Sequence, residues 1–296
     1  MGITAVAIFG VWIFALGAII GSFLNVVIYR LPAGKSLVFP GSRCPNCLSP
    51  IRWHDNLPIF SWFILGGKCR DCRAAISVRY PLVEAATALM FLSVAYVHFG
   101  VTTVAGDRGA IAKQVDSAEE GVLWAGDPGW PIKLSRSVRD WFLLSTLLAG
   151  SVIVWDGRRV PWQLFAPVLI GGMTVALAEP WLNLGWRAHP MRGIDPIQLF
   201  FSLATDLAVG VAILVVVGIV LGDSASRGLG WAIISTTLIV GWKIAIGAAV
   251  VGFILSTISW VAYRILRAEN PGFFLPWFSI GVFASVVVEP ILQAVF

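Results

Sequence analysis

From Ile3 to Ile28 the chain carries no charged side chain. At about 1.5 Å per residue such a run outlasts the roughly 30 Å hydrocarbon core of a bilayer. Backbone polar groups find no water there, so the segment must satisfy them internally and fold as a helix. It has no basic stretch before it and no clean small-residue cleavage site after it, and it reads as a retained span rather than a signal peptide. Comparable apolar runs follow at about Leu82–Val101, Trp141–Trp155, Gln163–Ala178, Leu199–Leu221 and Phe273–Phe296. The stretch from Trp231 to Ala262 is too long for one ordinary span, and Gly241 and Lys243 interrupt it. Two helices turning there predict eight spans; one tilted helix with a snorkelling lysine predicts seven. The expected fold is an all-α polytopic membrane protein of about eight transmembrane helices.

Composition excludes the main alternatives. Hydrophobic residues make up 58% of the 296 and charged residues only 12%, about half the charge of a soluble domain. A soluble enzyme, a disordered tail and a nucleic-acid-binding domain are all ruled out. The net charge of +5 comes from short basic stretches between apolar runs, which topology explains without a nucleic acid. Residues 30–79 hold eight Lys/Arg against two Asp, whereas residues 101–140 hold five against six Asp/Glu. The positive-inside rule then predicts a cytoplasmic segment 30–81 between the first two spans and an external insert 102–140. Arg158, Arg159, Arg227, Arg264 and Arg267 fall on the inner side, and both termini on the outer. The chain divides into a first helix (1–29), a polar module (30–81), a second helix (82–101), the insert, and a membrane domain (141–296).

The module holds all four cysteines of the chain, as Cys44-Pro45-Asn46-Cys47 and Cys69-Arg70-Asp71-Cys72. Each CxxC presents two thiolates from one tight turn, and two such turns close a tetrahedral shell around zinc. A reducing compartment favours metal over disulfide. Four sulfur ligands leave no open position for water, so the expected ion is structural, a staple for a segment with little apolar core. His54 lies between the pairs and reads as a packing or surface residue.

The stretch Gly21-Ser22-Phe23-Leu24-Asn25-Val26-Val27-Ile28-Tyr29-Arg30-Leu31-Pro32 resembles the opening signature of the bifunctional prepilin leader peptidases. The likeness continues through the first CxxC, Asp55-Asn56-Leu57-Pro58-Ile59, Ser61-Trp62, Gly67-Lys68-Cys69-Arg70 and Ile76-Ser77-Val78-Arg79-Tyr80-Pro81-Leu82-Val83-Glu84. The membrane half follows the same plan more loosely, and the insert is not covered. The resemblance implies a bacterial inner-membrane protein acting on type IV prepilins or type II secretion pseudopilins at the cytoplasmic face. It implies removal of a short basic leader by a membrane aspartyl protease and, in bifunctional members, N-methylation with S-adenosylmethionine. It also marks Gly21, Asn25, Arg30, Lys68, Arg79 and Glu84 as candidates for substrate engagement or methyl transfer, beside a structural role for each. Arg30 and Arg79 would pin the module to headgroups or to the second helix, and Glu84 would pair with a basic leader residue or with an arginine. No glycine-rich loop after a predicted strand marks an independent S-adenosylmethionine site.

Aspartyl proteolysis needs two neighbouring carboxyls sharing one proton, so that one activates water while the other polarises the peptide carbonyl. In the family the first aspartate stands seven residues before a proline. Here Val160-Pro161 anchors that register and puts Val154 at the position, with Asp156 two residues on. Two residues turn a helix by about 200°, which aims Asp156 elsewhere unless the helix has already ended. At the second motif the aspartate meets Leu229, Trp231 or Ile233, depending on the gap. Asp223, in the pair Gly222-Asp223, is the nearby substitute. The candidate catalytic pair is therefore Asp156 and Asp223, against the reading that both acids are solvated helix ends. Asp195, Glu179 and His189 read as loop groups, while Asp206, Lys243 and Glu289 form no hydrolytic spacing with them. Two functions remain in play: a processing enzyme, or a proteolytically inactive homologue that binds pilin-like substrates or keeps methyl transfer alone. An unrelated transporter with a rigid zinc module is the third, and the intact amino-terminal signature weighs against it.

Overall fold

A computed structural model describes residues 3–101, 130–171 and 274–288, together with helical positions Ala232, Ile233, Thr236, Val250 and Ile254. Among them the fold is all-α: α1 (Ile3–Arg30), α2 (Phe60–Ile64), α3 (Arg79–Ala95, continued by a π turn at Tyr96–Val101), α4 (Trp130–Trp155) and α5 (Phe274–Phe283, continued by a π turn at Ala284–Val288). Extended pairing is limited to two isolated bridges, Arg43 with Pro50 and Lys68 with Ala75.

Three helices among the described residues are long and apolar enough to cross a membrane: Val6–Ala33, Arg79–Phe99 and Lys133–Trp155. This corrects the expected count of about eight. Hydropathy measures how apolar a run is, not how far one unbroken helix extends. The described parts of the runs at 163–178 and 273–296 are the shorter apolar helices Trp162–Gly171 and Pro276–Val287. The runs at 199–221 and 231–262 lie outside the described residues, save for single helical positions. The third span also begins earlier than the sequence predicts, because α4 starts at Trp130 rather than Trp141.

The chain divides into two compact units, Met1–Ser93 and Val94–Phe296. In the first, α1 and α3 pack along Ile13, Gly17, Gly21, Leu24 and Ile28 on one side and Glu84, Thr87, Ala88 and Phe91 on the other, all buried. The spacing of three and four residues puts each set on one helix face. Gly17 and Gly21 form the small-xxx-small pattern that lets membrane helices approach closely. A Cβ on Gly17 would stand 2.7 Å from the Ala88 Cα, and one on Gly21 2.7 Å from the Glu84 Cα. The outward residues Val11, Trp12, Ile19 and Phe23 of α1 and Leu82 and Leu89 of α3 are exposed apolar surface, as a span facing lipid requires.

In the second unit α4 and α5 bury Leu143, Leu147 and Ile153 with Phe278 and Val282. The Ser151 and Ser279 hydroxyls lie 2.8 Å apart, and Ser151 also donates to the Leu147 carbonyl at 2.7 Å. Each hydroxyl is thus satisfied without water. Gly17→Leu is expected to drive α1 and α3 apart and to cost about 1–3 kcal/mol. Ile19→Leu, on the exposed face of α1, serves as the control. Thermal unfolding in detergent checks this, and equal midpoints for both variants and the parent would refute the close approach.

Candidate functional site

The two CxxC segments fold into near-identical turns. The Cys44 amide donates to the Ser49 carbonyl at 3.0 Å and the Leu48 amide to the Cys44 carbonyl at 2.9 Å. In the second turn the Cys69 amide donates to Ala74 at 2.8 Å and the Arg73 amide to the Cys69 carbonyl at 3.0 Å. The residue after each second cysteine takes a left-handed backbone, Leu48 at φ 60° and Arg73 at φ 59°. Side chains resist that conformation, so a shared constraint holds both turns.

The turns bring the sulfurs of Cys44, Cys47, Cys69 and Cys72 within 4.8 Å of one another, a cluster able to coordinate a metal ion. Cys44 and Cys72 are 3.8 Å apart at sulfur, and Cys47 and Cys69 4.0 Å. Four thiolates about 2.3 Å from a tetrahedral ion stand about 3.8 Å from each other, so the donor set fits. The Asn46 amide, 3.5 Å from the Cys72 sulfur, and then the Ala74 backbone amide lower the Cys72 pKa to about 6. Its thiolate, the form that binds metal, is favoured at neutral pH. His54 stays outside the cluster, edge-on to Trp53 with ring centroids 5.5 Å apart.

Around this centre the loop is knitted by polar contacts. Arg70 grips the Asp55 carboxylate with two guanidinium nitrogens, one at 2.7 Å, and Arg52 reaches Asp71 at 3.4 Å. The Trp62 indole donates to the Ile76 carbonyl at 3.0 Å. Its ring covers Gly67, where an added Cβ would meet it at 2.9 Å.

The loop is seated on α1 through Arg30 and on α3 through Glu84, and beside them Asn25 of α1 bonds the first turn of α3. The Arg30 guanidinium donates to the Ser36 carbonyl at 3.1 Å. The Asn25 amide donates to the Tyr80 carbonyl at 3.1 Å. The Glu84 carboxylate accepts the Ile59 backbone N–H at 2.6 Å, and the Ser22 hydroxyl also bonds to it. Glu84 thus binds a backbone amide rather than an arginine. Ile59 stands at φ 66°, ψ −56°, with the Phe60 amide 2.7 Å from the Pro58 carbonyl. That is the strained γ-turn, rare for a β-branched residue. Its cost of about 1–3 kcal/mol is comparable to the worth of a hydrogen bond to a charged acceptor, about 1.5–3 kcal/mol. The Glu84 bond therefore offsets a cost of the same order as its own worth.

Asp156 follows the last residue of α4. The Gly157 amide donates to Val154 at 2.8 Å and the Arg158 amide to Ile153 at 3.1 Å, with Gly157 at φ 68°. This is a Schellman cap, and Asp156 is its cap residue. The helix has ended before Asp156, while Val154 remains within it. Asp223, Leu229 and Trp231 lie outside the described residues; Ile233 is a fully buried apolar helical residue. Sequence reasoning missed a further cluster: Asp140, expected in the external insert, is buried in α4, 2.8 Å from the His98 imidazole and 2.9 Å from the Arg139 guanidinium. Its only signal was the helical run-in from Trp130.

Known proteins share this arrangement of sequence. The Bacterial Peptidase A24 N-terminal domain profile matches residues 15–99. A prepilin leader peptidase/N-methyltransferase of Myxococcus xanthus is 51% identical over 86 residues, 29% of this chain and 26% of the relative. A type 4 prepilin-like proteins leader peptide-processing enzyme of Escherichia coli is 40% identical over 181 residues, 55% of each chain. In these relatives the match spans about a quarter to just over half of their length. A prepilin leader peptidase/N-methyltransferase of Pectobacterium carotovorum is 30% identical over 295 residues, covering 92% of this chain and 91% of the relative. The chain belongs to the prepilin leader peptidase/N-methyltransferase family. No solved structure matches it. Within this family member the matched domain contains the whole four-cysteine centre and its seats at Arg30 and Glu84.

Two outcomes are expected. Hydrogen bonding to Arg70 outweighs the opposing effect of burial and, helped by the charge of that guanidinium, holds the Asp55 carboxyl below the usual carboxylate range. A depressed folded pKa stabilises above the unfolded value and loses that stabilisation as pH falls through it toward the folded value. Asp55→Asn should therefore loosen residues 52–72 at neutral pH, and the difference from the parent should shrink as pH drops below about 4. Amide exchange, corrected for its intrinsic pH dependence, reads this. Glu84→Ala should speed exchange at Ile59 at least tenfold, the consequence of losing about 1.4 kcal/mol or more; unchanged protection there would refute the seat.

Proposed function

We propose that this chain is a bacterial inner-membrane protein that engages the leaders of type IV prepilins or type II secretion pseudopilins at the cytoplasmic face. Its four-cysteine module holds a structural zinc ion. The observation that carries the reading is the seating of that centre on α1 and α3 through Arg30 and Glu84, inside the block matched by the family profile. The relatives' names supply the substrate class. Cys44, Cys47, Cys69 and Cys72 would hold zinc, which as a closed four-sulfur site supplies stability rather than chemistry.

Once a leader is engaged, its fate divides on the carboxylates. In one reading the chain processes the leader, with Asp156 and Asp223 sharing a proton and directing water onto the scissile peptide, and N-methylation then drawing on S-adenosylmethionine. The described residues assign no group to that cofactor. In the second reading the chain binds leaders without cutting, as an assembly factor or a methyltransferase alone. The register at α4 favours the second, because Val154 occupies the customary helical position; the helix end before Asp156 frees that carboxyl from the helical facing but leaves it two residues off the register.

Purified in detergent, the protein is expected to contain about one zinc per chain by elemental analysis, and Cys69→Ser to lose most of it. It is expected to retain a prepilin carrying its basic leader but not to shorten it. Cleavage that disappears on Asp156→Asn or Asp223→Asn would establish the processing reading instead. Methyl transfer to a pre-cleaved pilin with its amino-terminal Phe exposed separates enzyme from scaffold.

A further inference from the structure

The short helix α2 is an odd element for a water-facing loop. Three of its five residues are large, apolar and turned outward: Phe60 is 65% exposed, Phe63 66% and Ile64 71%. Its inward residues are fully used, with Ser61 buried and donating to the His54 carbonyl at 3.3 Å and Trp62 donating to Ile76. The turn Trp53–Asn56 packs against α2, and there Trp53 is 81% exposed. Nothing in the loop's own packing calls for this outward apolar surface.

Depth supplies the reason. Ile59, the residue before α2, gives its N–H to Glu84, which lies five residues beyond Arg79, where α3 and its membrane-crossing stretch begin. At the helical rise that is about 7 Å along the span, the depth at which interfacial helices bury their apolar faces, roughly 5–10 Å. On the neighbouring helix Gly21 faces the Glu84 Cα, below a lipid-type surface formed by Phe23 and Leu82. The charge agrees: residues 30–79 hold eight Lys/Arg against two Asp, and both aspartates are already paired with arginines. The surplus is positive, the sign that anionic headgroups attract.

We propose that α2 is an interfacial anchor whose Phe60, Phe63 and Ile64 side chains enter the acyl–headgroup boundary of an anionic bilayer and hold the four-cysteine module against the lipid surface. The anchor is independent of whether the chain cuts a leader. It also gives the strained turn at Ile59 a task, since that turn directs the chain from the Glu84 bond into α2.

The test is depth measurement on the full chain in vesicles of phosphatidylethanolamine and phosphatidylglycerol. A nitroxide is attached through a ketone-bearing amino acid at position 63 or, separately, 64, which leaves the cysteines alone; position 48, on the turn after Cys47, is the reference. Labels at 63 and 64 are expected to meet oxygen, which concentrates in hydrocarbon, severalfold more often than a water-soluble nickel chelate. The label at 48 is expected to show the reverse. A chelate that reaches 63 and 64 as freely as 48 overturns the proposal. Labels at 63 and 64 shielded from both reagents overturn it too, and would mean that a protein segment covers α2. Two label sites on separate chains guard against one substitution disturbing the fold.

Discussion

The approach of α1 to α3 at Gly17 and Gly21 is the contact on which the rest of the first unit depends. With no side chain at either position, the α3 backbone at Glu84 and Ala88 comes against the face of α1. That proximity buries Glu84 and puts the Ser22 hydroxyl and the Ile59 amide within its reach. A carboxylate inside an apolar helix pair is costly unless it is hydrogen-bonded, and here the polar partners come from the helix beside it and the loop above it. One glycine contact thus converts an expensive residue into the fastening point of the module.

The module itself is built from two copies of one device. Each CxxC turn closes with the same amide-to-carbonyl bonds and the same left-handed residue. The two turns meet at the four-sulfur cluster they form. The Asp55–Arg70 and Arg52–Asp71 pairs join the second CxxC turn to the turn at Trp53–Asn56 and the residue before it. The result is a module attached to a helix pair at Arg30 and Glu84.

Much of this is legible in the sequence. Thiolate chemistry and CxxC spacing predict the cluster because ligand number and turn geometry are local properties. The first two long spans and the family block are readable for similar reasons. The count of spans is not. Hydropathy marks apolar runs, but a span also needs one unbroken helix of sufficient length, which the described residues show at three places. Glu84 stands out as a candidate in the sequence, yet an arginine or a basic leader residue looks like its natural partner, because a backbone amide leaves no mark in residue identity. Asp140 reads as a loop residue because its charge outweighs the helical pattern around it.

Residue types alone determined that this chain enters a membrane, that its cysteines converge on a metal-binding shell, and that Val154 stands where its family places a carboxylate. Those follow from solvation, ligand chemistry and spacing along the chain. Only the tertiary structure decided that Gly21 faces Glu84 and that Ile59 bends back to bind it. These depend on which backbone atoms meet across gaps of 25 to 63 residues (Ile59 to Glu84, Gly21 to Glu84). Long-range packing sets them and no local pattern encodes them, whereas the stop of α4 before Asp156 is local and Gly157 is its mark in the sequence.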